Sequence, residues 1–199
     1  RFLTLMEEDV NRLARLTGFL QHYRKYWCEE TDRPASLSPA VTLSRIQAVR
    51  ERLPSLTRSF ERLGITLDGV SLILFVGYNA SNGHAVRTPE GCAAWLALER
   101  YPTAASIDAF LPHELAHAAH YALVPELYFE SVEEQGATGR QLITEGIATR
   151  SAMRAGGLDE GLALWGDFLA PEARDAWLAR CRERHADLVS RILEHWNEP

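Results

Sequence analysis

Apolar positions recur every three or four residues from Val10 through Leu13, Ala14, Phe19, Leu20 and Tyr23 to Trp27, the period of an amphipathic helix. Thr4 and Glu7 stand at capping-box spacing ahead of that stripe, so a helix is expected from about Thr4 to Cys28. Breaker residues cluster from Thr31 to Pro39. A second helical stretch follows from about Leu43 to Leu63, bent or divided by Pro54 and ended by Gly64. The texture then changes. The apolar run from Val70 to Val76 predicts a buried strand, and Asn79 to Gly83 predicts a loop with Asn82-Gly83 as its turn. A weaker strand is expected around Ala94 to Leu98. From Ala104 to about Leu123 the pattern is helical again. Another helix opens near Thr138, where Gln141 completes a second capping-box spacing, and stops at Gly156-Gly157. The stretch from Leu158 to Trp196 is helical, with Pro171 suited to a first helical turn.

Two or three strands amid helices predict an α+β chain, mostly helical, with a small sheet. The parts fall at 1–64 (N-terminal helices), 65–157 (the sheet and the two helices after it) and 158–199 (C-terminal helices), within one compact domain. There is no internal repeat and no long linker. Of 199 residues, 46% are hydrophobic and 24% charged, which excludes a disordered or collagen-like chain. Lys and Arg number 21 against 27 Asp and Glu, a net charge of −6. That balance argues against nucleic acid as a partner, since phosphate binding favours a basic surface.

No apolar run approaches the ~18 residues of a spanning helix. The start, from Arg1 to Asp9, lacks the basic and apolar stretches of a signal peptide. It opens on Arg rather than Met, so a trimmed leader stays compatible with it. Cys28, Cys92 and Cys181 are far apart and form no CxxC pair. Three buried thiols in a reducing, cytoplasmic compartment are the expectation.

The informative segment is His113-Glu114-Leu115-Ala116-His117, an HExxH on a predicted helix. Residues four apart share a helical face, so both imidazoles can converge on one metal ion. Glu114 lies about 100° round the helix from His113. From there its carboxylate can take a proton from a water on the metal without being a ligand. Leu111, Leu115, Ala116, Ala118 and Ala119 make the helix apolar, and polar side chains buried there need partners.

A catalytic zinc has three protein ligands and one open position. His120 shares the face, but it lies roughly 10 Å along the axis from His113. It cannot close round the same ion with bonds of about 2 Å, so it is expected behind the ligands. An HExxHxxGxxH pattern fails, because His120 and Leu123 occupy its Gly and His positions. The third candidate is Glu145, in Thr144-Glu145-Gly146-Ile147-Ala148 on a separate predicted helix. Gly146 would let two helices approach closely, and Leu142, Ile143 and Ile147 would turn Glu145 inward. An inward Glu needs a partner. A salt bridge to an arginine is the competing account of it.

HELAH followed by a Glu-Gly-Ile-Ala helix resembles the gluzincin class of zinc peptidases. The order of hydrophobic strand, Asn-Gly loop, second strand, HExxH and Glu-Gly helix resembles, more narrowly, the YjaZ-like family of zinc-dependent proteases. The resemblance spans roughly Val70 to Arg154. It implies a zincin-like fold with the sheet beside the HExxH helix. It implies one Zn2+ per chain on His113, His117 and Glu145, Glu114 as general base, and a peptide or protein as substrate. It also implies an edge strand that pairs with an extended peptide, which the sequence places at Ala94 to Leu98. Two positions depart from the pattern. Pro112 removes a helical hydrogen bond to Asp108, so a kink or restart is expected there. Thr149 stands where thermolysin-like relatives carry an Asp that orients a ligand histidine. Candidate donors to a developing oxyanion are Tyr121, Tyr128, His120, Arg140, Arg150 and His185, and none has a distinguishing spacing. His84 could line the cleft. The expected function is zinc-dependent peptide hydrolysis, and the alternative is a zinc-retaining binding or regulatory module with little proteolysis.

Overall fold

A computed structural model describes residues 37–76, 83–88, 91–128 and 137–198. The expected helix from Thr4 to Cys28 lies outside them. The described residues form six helices and a three-stranded sheet, the α+β arrangement expected.

Helix α1 spans Pro39–Arg62, starting four residues before the pattern predicted. Ser38 caps it by accepting a hydrogen bond from the Val41 amide, and Pro39 fits the first turn. Pro54 does not divide it. The proline is on the exposed face, where water can hydrate the Arg50 carbonyl it leaves unpaired. At the other end, the Gly64 amide donates to the Glu61 carbonyl and the Ile65 amide to Phe60, a Schellman closure. The inner face of α1 puts Val49, Leu56 and Phe60 into the main core.

Strands β1 (Val70–Phe75), β2 (Gly83–Thr88) and β3 (Gly91–Ala97) lie in the order β1-β3-β2. β3 is parallel to β1, with Val70 opposite Cys92, and antiparallel to β2, with Gly83 opposite Leu96. The strand expected at the edge, Ala94 to Leu98, is therefore the central one. Pairing on both sides explains why all but its first residue are buried. The outer strand on the cleft side is β2, which begins inside the segment the sequence assigned to a turn. Alternation splits the sheet into two faces. Ala85, Cys92, Ala94 and Leu96 join the main core, while Val86, Ala93 and Trp95 form a second cluster with Ile73 and Phe75.

Helix α2, Ala104–Leu123, packs across the main-core face and carries HExxH. Its capping box is reciprocal: Thr103 Oγ1 accepts from the Ser106 amide at 3.1 Å, and Ser106 Oγ accepts from the Thr103 amide at 3.2 Å. The helix does not restart at Pro112, which is buried inside it.

Helix α3, Thr138–Gly156, carries Glu145. The expected Thr138–Gln141 capping box does not form, because Thr138 is already helical and the cap residue is Ala137. The first amides are satisfied from far along the chain. Thr138 N donates to the Glu198 carbonyl and Gly139 N to the Trp196 carbonyl, each at 2.8 Å. The Trp196 indole lies so close that a Cβ on Gly139 would be 2.2 Å from it. Thr144, Ala148, Ser151, Ala152 and Ala155 are the buried side chains along α3. Helices α4 (Glu160–Trp165), α5 (Pro171–Glu183) and α6 (His185–Glu194) complete the described chain, with Pro171 in a first turn as expected. Trp165 and Trp177 meet edge to face at 5.4 Å. Cys92 is buried and Cys181 only half-buried, which corrects the expectation for the latter; Cys28 lies outside the described residues. Among the described residues no helix is long and apolar enough to cross a membrane.

Replacing Gly139 with Ala should drive the Trp196 ring away and lower the unfolding free energy by about 1–3 kcal/mol. Urea denaturation of the variant measures this, and an unchanged midpoint would show that the ring contact carries no stability.

Candidate metal centre

His113 and His117 are one helical turn apart on α2, and both present Nε2 to the same point, 3.0 Å from each other. Glu145 reaches in from α3. Its Oε2 is 3.3 Å from His113 Nε2 and 3.5 Å from His117 Nε2. The carboxylate thus meets the two imidazoles, and among the described residues no arginine forms the competing salt bridge with it. A tetrahedral ion with bonds of about 2 Å holds its ligand atoms ~3.3 Å apart. The triangle has that size, so the donor set fits the ion without rearrangement.

Glu145 does not turn inward. Its side chain is 54% exposed, and Leu142, Ile143 and Ile147 are exposed as well. A Cβ on Gly146 would meet nothing within 4 Å, so that glycine plays no part in helix approach. Glu145 instead leans over an open cleft, where its carboxylate closes the triangle from the solvent side.

Glu114 behaves oppositely and is only 5% exposed. Its carboxyl group lies where a side chain on Gly83 would be: a Cβ built there falls 2.4 Å from Glu114 Cδ. The glycine opening β2 is therefore the space that Glu114 occupies. Burial raises the Glu114 pKa against the pull of His113 and His117. Burial also opposes charge on Glu145, but hydrogen bonds from the two imidazoles win and hold its carboxyl well below the usual range. For His113, burial is outweighed by the Glu145 and Glu114 carboxylates, which raise its pKa. Two carboxylates lining one cleft are thus driven in opposite directions.

The Nδ1 atoms of His113 and His117 are buried with no hydrogen-bond partner among the described residues. Their rings are held by aromatic packing. Phe110 meets His113 edge-on at 6.4 Å, and Tyr121 lies nearly parallel to His117 at 6.0 Å. Thr149 lines the cleft without bonding Nδ1 of either ring.

The cleft has a volume of about 490 Å³, within the range of small-molecule and peptide-side-chain sites. Its walls come from Gly83, His84 and Ala85 of β2, from α2 and α3, and from Leu127, Leu164 and Trp165. Of the candidate donors, Tyr121 and Arg140 line it. Its burial and the nearby Glu145 carboxylate push the Tyr121 phenol up, so it keeps its proton. Arg140 Nη1 donates to the Leu127 carbonyl at 3.1 Å. His120 sits behind, nearly parallel to Tyr121, and burial with His117 lowers its pKa. Tyr128 is buried edge-on against Tyr121 with the Arg87 guanidinium over its ring. Neither lines the cleft, nor do Arg150 and His185. His84 does, on a strand rather than a loop, and burial and His117 lower its pKa to about 4. Sequence reasoning did not find Phe110, Leu164 or Trp165, whose apolar spacing signals only core.

No model of a known protein family, no curated protein and no solved structure matches this chain.

Gly83→Ala should displace the Glu114 carboxyl or push β2 off α2, and lower stability by about 1–3 kcal/mol. A crystal structure of the variant decides the first outcome. A Glu114 side chain in its original place beside an unmoved strand would contradict the packing described.

Proposed function

We propose that the chain is a zinc-dependent hydrolase, with peptide bonds as its substrate class. The observation that carries this is the ligand triangle: three donor atoms from two helices, 3.0 to 3.5 Å apart, beside a buried carboxyl that belongs to neither edge. Two His and one Glu with an open fourth side is the donor chemistry of hydrolytic zinc. When bound, zinc supplies Lewis acidity toward a carbonyl and acidifies water at its open position.

The remaining work falls to side chains. His113, His117 and Glu145 hold the ion. Glu114, whose burial raises its pKa and so makes its carboxylate a stronger base, is suited to accept a proton from the attacking water and to hand it to the departing amine. The Tyr121 hydroxyl keeps its proton and can donate to the developing oxyanion. The outer strand β2 runs along the cleft wall at Gly83–Ala85, and an extended peptide laid beside it would bring a carbonyl over the triangle.

Purified protein should bind one zinc per chain, and His117→Ala should weaken that binding by at least about 100-fold. Metal analysis after dialysis measures both. Glu114→Gln should keep the zinc and reduce peptide turnover by about 10³-fold or more, and Tyr121→Phe should lower kcat by about 10²-fold with little change in KM. A quenched-fluorescent peptide library with and without chelator reads these effects. Stoichiometric zinc with no cleavage of any peptide would instead favour the binding-module alternative.

A further inference from the structure

Among the described residues, Arg140 is the one arginine or lysine lining the cleft. Its guanidinium is anchored through Nη1 alone, to the carbonyls of Leu127 at 3.1 Å and Glu126 at 3.4 Å. The planar fork has donors on three nitrogens. Nε and Nη2 make no hydrogen bond to the described residues, and no carboxylate among those residues pairs with the group. A half-buried arginine that lines the cleft and is held through one nitrogen keeps Nε and Nη2 for a planar anion.

Charge in the cleft favours the same ligand. Glu114 and Glu145 are the only acidic side chains lining it among the described residues. A divalent ion in the triangle would offset both, which leaves the Arg140 charge unbalanced. Arg140 precedes Glu145 by five residues on α3, about 7.5 Å of helical rise. An extended peptide covers that in roughly two residues.

We propose that Arg140 forms a subsite for a carboxylate of the substrate, about two residues from the scissile bond. This rests on the zinc-hydrolase function proposed above. The carboxylate has two possible sources with one chemistry: an Asp or Glu side chain within the peptide, or the peptide's own C-terminus. The first makes the chain an endopeptidase with acidic preference, the second a carboxy-terminal exopeptidase.

The test is equilibrium binding of short peptide hydroxamates to the zinc-loaded Glu114→Gln protein. One set carries Asp or Asn two residues beyond the hydroxamate, and another a free or amidated C-terminus there. The hydroxamate reports the metal site and the variable group reports the subsite. Acidic members should bind at least about tenfold more tightly than their neutral partners. That preference should vanish in an Arg140→Gln background and persist in part in Arg140→Lys, at unchanged zinc content. Preference within the Asp set supports the internal carboxylate, and preference within the terminal set the exopeptidase. Equal binding of acidic and neutral members, or a preference that survives Arg140→Gln, overturns the subsite while leaving the metal site standing. Failure of every hydroxamate to bind zinc-loaded protein overturns both. An arginine that only tied the 125–127 turn to α3 would leave the acidic-to-neutral ratio unmoved.

Discussion

Three lone pairs from two helices must meet at one point, and the spacing of α2 and α3 decides whether they do. The i, i+4 pair needs only a regular helix, so His113 and His117 are aligned by local geometry alone. Glu145 has no such guarantee. Its reach is fixed by the contact between the helices, and both carry buried alanines, Ala116, Ala118 and Ala119 on α2 and Ala148, Ala152 and Ala155 on α3. Small side chains let the two backbones approach. A wider gap of even one ångström would stretch the 3.3 and 3.5 Å edges of the triangle beyond what a bonded ion spans.

The two carboxylates of the site differ by environment rather than chemistry. Glu114 is sealed beneath the glycine that opens β2, and burial raises its pKa. Glu145 is open to solvent but shares hydrogen bonds with two imidazoles, and its charged form is favoured. In the function proposed above, one group exchanges a proton and the other stays charged, and the fold supplies these opposite settings on two facing helices, α2 and α3.

Much of this was legible in the sequence, for reasons that are local. HExxH announces a shared helical face through its spacing, and the Schellman closure at Gly64 through a single residue. Glu145 was found, but on the wrong ground: Gly146 and the neighbouring apolar residues suggested an inward-facing stripe, whereas all of them are exposed and the inner face belongs to Thr144 and Ala148. What stayed hidden depends on distant partners. Asn82-Gly83 signals a turn, and adjacent buried Ala85 and Val86 break the alternation that would mark β2. Whether Ala94 lies at an edge or the centre is decided by two earlier strands that flank it, one parallel and one antiparallel. The cap of α3 comes from carbonyls nearly sixty residues away, so no capping box near Thr138 could have predicted it.

The orientation of the two imidazoles has a cause that neither pattern nor spacing reveals. Metal-binding histidines usually fix their rings by donating the second ring N–H to a carboxylate or carbonyl. Here both Nδ1 atoms are buried without such an acceptor among the described residues. Phe110 and Tyr121 confine the rings by their faces and edges instead. An apolar wall sets the angle of a ring without a second hydrogen bond, so packing alone positions these imidazoles. In the zinc function proposed above, the Glu145 carboxylate would bring the negative charge of the donor set, and it would do so from the exposed side of the cleft.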